Sequence, residues 1–75
     1  MKELVEFIAR SIVNAPDQVE VTEEQSDQGL VLKLKVADDD KGRVIGKQGR
    51  IAEAMRTLIR VKAAKAGTRA TLEII

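Results

Sequence analysis

Four basic side chains, Lys41, Arg43, Lys47 and Arg50, fall within ten residues that hold no acid, and Gly46 and Gly49 stand three apart among them. Two glycines at that spacing let the backbone turn sharply and present bare N–H groups with no Cβ to block an approaching chain. If one helix ends at Gly46 and another begins at Gly49, the second offers unpaired N–H groups and the positive end of its dipole. A phosphate is the natural guest of such a site. Lys47 supplies charge and Gln48 an amide donor. Arg43, Arg50 and Lys41 flank the turn, where they can neutralise neighbouring phosphates. Ile45 and Ile51 clamp it on either side, as plain core or as the apolar floor of a groove. The chemistry is that of a grip on a nucleic-acid backbone.

Other readings of the same residues fail on their chemistry. Gly42-Arg43-Val44-Ile45-Gly46-Lys47-Gln48 looks superficially like a nucleotide-binding P-loop. Its glycine spacing is one residue short, and Gln48 stands where a Ser or Thr would hold magnesium. Asp38-Asp39-Asp40 makes a poor metal or catalytic cluster, because three consecutive side chains diverge and no further acid follows until Glu53. One of these aspartates is instead expected to cap a helix start. With no histidine and no cysteine, the usual neutral-pH general base, thiolate metal ligands and disulfides are all absent. No catalytic residue, metal or cofactor is expected.

The turn needs elements to hold it. Leu4, Val5, Ile8 and Ile12 recur at helical spacing, with Asn14-Ala15-Pro16 as a stop, so residues 2–13 are predicted helical. Val19 and Val21 alternate weakly with polar residues, and Ser26-Asp27-Gln28-Gly29 is turn chemistry. Leu30, Leu32, Leu34 and Val36 alternate with Val31, Lys33 and Lys35, the clearest strand in the chain. The two strands are predicted to form an antiparallel hairpin with its leucine face toward the helices. A short helix follows over 41–45, then the glycine turn. A long helix comes next, with Ile51, Ala52, Met55, Leu58, Ile59, Ala63 and Ala66 on its apolar side and Gly67 at its end. Ala70, Leu72 and Ile74 alternate as a last strand.

Seventy-five residues with 44% apolar content suit one small α+β domain over 1–75, its core aliphatic because Phe7 is the only aromatic residue. A core this thin makes self-association or a partner protein unsurprising. No apolar run is long enough to span a membrane, and Glu6 and Arg10 interrupt any signal-peptide pattern, so the expected location is cytoplasmic. The net charge of +1 hides a segregation. Residues 1–40 carry four cations against ten acids, and residues 41–75 carry nine against two. The basic half is the expected footprint of a polyanion.

At about 7% glycine, a chain this long contains G-x-x-G by chance roughly one time in three, so context must carry the motif. Val44-Ile45-Gly46-Lys47-Gln48-Gly49-Arg50-Ile51, an apolar pair, G-x-x-G and an isoleucine, resembles the signature of the KH domain family of single-stranded RNA and DNA binders. The element order α-β-β-α-α-β is similar to the type II, prokaryotic arrangement, with a three-stranded sheet and three helices on one face, and the length is similar to that of the small bacterial single-KH proteins. The resemblance implies a loop that clamps about four nucleotides by their backbone. It also implies self-association, pairing with a larger RNA-binding partner of the KhpB type, and an RNA-chaperone role affecting cell-envelope growth. Without aromatic platforms, about 1–3 kcal/mol of stacking per base is missing. Binding should be modest, salt-sensitive and weakly selective. A second reading, an interaction module with little RNA binding of its own, would use Val61, which falls off the apolar face of the long helix.

Overall fold

The computed structural model describes residues 1–75. Helix α1, Lys2–Ile12, turns Val5 and Ala9 fully inward, with Leu4, Ile8 and Ile12 packed against the same core. Glu6 bridges Lys2 and Arg10 one turn away on either side, at 3.9 and 3.5 Å, worth a few tenths of a kcal/mol each. The helix ends where Pro16 requires, and residues 16–18 form a single 3-10 turn.

Strand β1, Glu20–Ser26, pairs antiparallel with β2, Gly29–Lys35. The first strand runs farther than its alternation shows, since only Val21 within it is buried and Glu23, Glu24 and Gln25 are exposed on both sides. Its pairing to β2, not burial, holds that half extended. Leu32 and Leu34 on β2 are fully buried, as the leucine pattern predicted. Strand β3, Ala70–Ile74, lies parallel to β2 on its other side, giving the sheet order β1-β2-β3. Parallel neighbours need a crossover, and here the crossover is the helical segment that carries the glycine turn.

That segment begins with Asp38–Asp40 as a 3-10 turn, followed by α2, Lys41–Ile45, and α3, Arg50–Lys65. Ala52, Met55, Ile59 and Ala63 form the buried side of α3. Burying a side chain such as Met55 or Ile59 is worth about 1.5–3 kcal/mol. Ile51, Leu58 and Ala66, expected on that side, are exposed instead. A helix resting on a narrow three-stranded sheet buries one strip only, and these three flank it. The last turn closes as a Schellman cap, the Thr68 N–H donating to the Ala63 carbonyl and the Gly67 N–H to the Ala64 carbonyl. The order is the expected α-β-β-α-α-β, an α+β fold with three helices and one mixed sheet.

Candidate nucleic-acid interface

The glycine turn lies between two helix ends, as its spacing required. Gly46 is the C-cap of α2, its N–H donating to the Gly42 carbonyl at 2.9 Å, and Gly49 is the N-cap of α3. Gly46 has φ 77° and ψ 175°, a region essentially closed to residues with a side chain. Gly49 is left-handed at φ 74°, ψ 13°, and Gln48 between them is left-handed too at φ 59°. A Cβ on Gly46 would stand 2.6 Å from Cγ1 of Ile51, so the isoleucine packs directly over the bare Cα. At Gly49 the space beside the Cα is open. With no side chain at the N-cap, no side-chain hydrogen bond closes the first turn of α3. The Gly49 and Arg50 N–H groups are taken by the carbonyls of Gly46 and Lys47, so what the loop offers an anion is the positive end of the α3 dipole with no side chain in the way.

The basic residues around the turn differ in how free they are. Lys47 and Gln48 are exposed at its tip. Oε1 of Gln48 accepts from Arg50 at 3.4 Å, which leaves the Gln48 amide nitrogen as a donor toward solvent. Lys41 pairs with Asp38 at 3.4 Å, and Arg43 with Asp40 at 3.6 Å. Lys47 and Arg50 are thus the cations with no acid partner. Ile45 and Ile51 are 41% and 36% exposed, so a plain core role does not describe them. They form an apolar surface on either side of the loop.

Asp40 departs from expectation. It occupies the N-cap position of α2 yet makes no side-chain capping bond. Instead it is buried, 1% exposed, and its two carboxylate oxygens accept from the consecutive N–H groups of Asn14 and Ala15 at 3.1 and 3.0 Å. The chain just beyond α1 is the element being capped. Nothing in the local sequence marks this, because the partners lie 25 and 26 residues away.

Strand β2 is paired on both sides and has no open edge. The free edge beside α3 belongs to β3. Between them lie cavities of about 180 and 340 Å³ that share Arg60, Ala70 and Thr71; Arg56 also lines the first and Arg69 the second. Arg56 reaches across and donates to the Leu72 carbonyl at 3.4 Å. Neither cavity is lined by a residue of the glycine turn. Finding these arginines required the parallel placement of β3, which spacing alone does not encode. No group of acidic side chains is placed to hold a metal ion, and no helix is long and apolar enough to cross a membrane.

The family model described as KhpA/KhpB, KH domain, matches residues 2–74. The chain belongs to the KhpA/KhpB KH-domain family. Within it, the chain is 53% identical to the RNA-binding protein KhpA of Clostridium acetobutylicum over the full length of both. It is 49% identical to the KhpA of Clostridium perfringens, again over both full lengths. To the KhpA of Treponema pallidum it is 47% identical, covering 99% of this chain and 92% of the relative. No solved structure matches the chain. Family membership is thus established by sequence, and the KH element order by the fold.

Proposed function

We propose that this protein binds single-stranded RNA, without catalysis, by gripping the sugar-phosphate backbone at Gly46, Lys47, Gln48 and Gly49, with Arg50 and Arg43 as electrostatic helpers. The observation that carries the reading is the turn itself. Two glycines in positive-φ conformations expose an uncapped helix start, and the unpaired Lys47 stands at its tip. Relatives about half identical over the whole length bear the name RNA-binding protein, which supports RNA as the ligand class; single-stranded DNA offers the same backbone phosphates. Ile45 and Ile51 give the bases an apolar surface, and Lys41, tied to Asp38, contributes least. The domain is a single unit over 1–75, working in the cytoplasm as an RNA chaperone or post-transcriptional regulator.

The test is an NMR titration of the labelled protein with a short unstructured RNA, wild type beside Lys47→Asp/Gln48→Asp. Shifts centred on residues 43–51, lost in the folded double variant, are the expected outcome. No shift at low salt would overturn RNA binding by this chain.

A second reading rests on a separate observation. Ile51, Ala54, Leu58 and Val61 recur at i, i+3, i+7 and i+10 along α3 and are all exposed, Leu58 at 48% and Val61 at 52%. That spacing is the seam of a helix pair. It suits a homodimer contact centred on Val61, or docking of a KhpB-type partner, and two linked domains would strengthen RNA binding through effective concentration.

A further inference from the structure

Asp40 is the only charged residue buried in the protein, and its carboxylate lies between two elements. On one side it is fixed by the N–H groups of Asn14 and Ala15, at 3.1 Å to Oδ1 and 3.0 Å to Oδ2. On the other, Oδ1 faces Nε of Arg43 at 3.6 Å, one helical turn on. Arg43 sits three residues before Gly46, and its side chain is 54% exposed. Arg50 and Arg56 each donate one hydrogen bond inside the chain, whereas the contact of Arg43 with Asp40, at 3.6 Å, is an ion pair and leaves its terminal nitrogens uncommitted. A guanidinium drawn to a fixed carboxylate on its Nε side keeps its planar Nη fork free for a second anion, and such forks match phosphate in two-point contact.

We infer that Asp40 is a positioning residue for the backbone grip: it anchors Arg43 so that the Nη fork is preset toward the phosphate next to the 46–49 loop. The inference rests on the loop reading proposed above. It separates two effects of opposite sign. A negative charge near a phosphate site weakens binding by Coulomb repulsion, so removing it should strengthen binding if charge were all that mattered. Ordering a long side chain in advance removes part of the entropy cost of binding, so removing the anchor should weaken binding. The bond network around Asp40 points to the second effect.

The experiment is the affinity for a short labelled oligouridylate at low salt, with each variant shown by NMR to be folded at the temperature used. Arg43→Gln should weaken binding by about tenfold, the loss of one charge-assisted contact. Asp40→Asn should weaken it by between about three- and tenfold although it removes a negative charge. In the Arg43→Gln background, Asp40→Asn should then have no further effect. Arg43→Lys, which keeps the charge but not the fork, should lose as much as Arg43→Gln; this variant decides the matter if Asp40→Asn fails to fold. The Arg43 Nε–H cross-peak should be distinct in the wild type and shift in folded Asp40→Asn while the amides of α3 stay in place. Wild-type or tighter binding by Asp40→Asn or Arg43→Lys would overturn the inference, as would an Asp40→Asn loss that persists without Arg43. Undiminished binding by Lys47→Asp/Gln48→Asp would instead overturn the loop reading, and this inference with it.

Discussion

At Gly46 a methyl group has no room and the backbone no tolerance for one, because φ is 77° and the Cβ would meet Ile51 at 2.6 Å. Gly49 shares the positive φ but faces open space. The two glycines of one motif should therefore respond differently to the same substitution. Gly49→Ala should cost about 1–2 kcal/mol, the strain of a left-handed residue. Gly46→Ala adds a steric clash to a backbone region that costs about 1–3 kcal/mol and should lower the melting temperature further. Thermal melts of the two variants check the order; equal effects would mean that the loop relaxes around Ile51. The conformational demand of G-x-x-G was legible in the residues themselves. The asymmetry was not, since it depends on where the Ile51 side chain comes to rest.

Among the elements, α3 has two faces with different duties. Ala52, Met55, Ile59 and Ala63 rest on the sheet, while Ile51, Ala54, Leu58 and Val61 face solvent. An apolar stripe left in water at helix-pair spacing is expected to find a partner. Leu58→Asp and Val61→Asp should leave the fold intact, because neither side chain is buried, and should halve the solution mass if the stripe is a dimer seam. Light scattering on the wild type and both variants reads this directly. Unchanged mass in all three would leave the face to a different partner, or to none. Sequence periodicity placed Ile51 and Leu58 with the buried residues because a 3.6-residue repeat marks an apolar arc. It does not say how wide a strip the sheet will cover.

Across the whole molecule, charge is segregated along the chain, yet the fold brings part of it back together. Asp38 and Asp40 at the end of the acidic half pair with Lys41 and Arg43 at the start of the basic half, leaving Lys47 and Arg50 as the free cations of the turn. If Lys47, Arg50 and the anchored Arg43 together neutralise three phosphates, the logarithm of the binding constant for single-stranded RNA should fall with the logarithm of salt at a slope of about −2. Affinity measured across a salt series checks this; a slope near zero would rule out a phosphate grip. The element order, the aliphatic core strip, the glycine turn between two helices and the basic segment were all determined by local pattern: alternation, helical spacing, proline and glycine punctuation, and charge. Each is a property of residues near one another in the chain, and physical chemistry acts on them before any distant contact forms. The tertiary structure alone decided that Asp40 caps the chain beyond α1, that β3 and not β2 supplies the open edge beside Arg56 and Arg60, and that Ile45 and Ile51 stay at the surface. Those facts depend on which segments meet across 16 to 40 residues, and pairing at that distance is set by packing of the whole sheet and its helices.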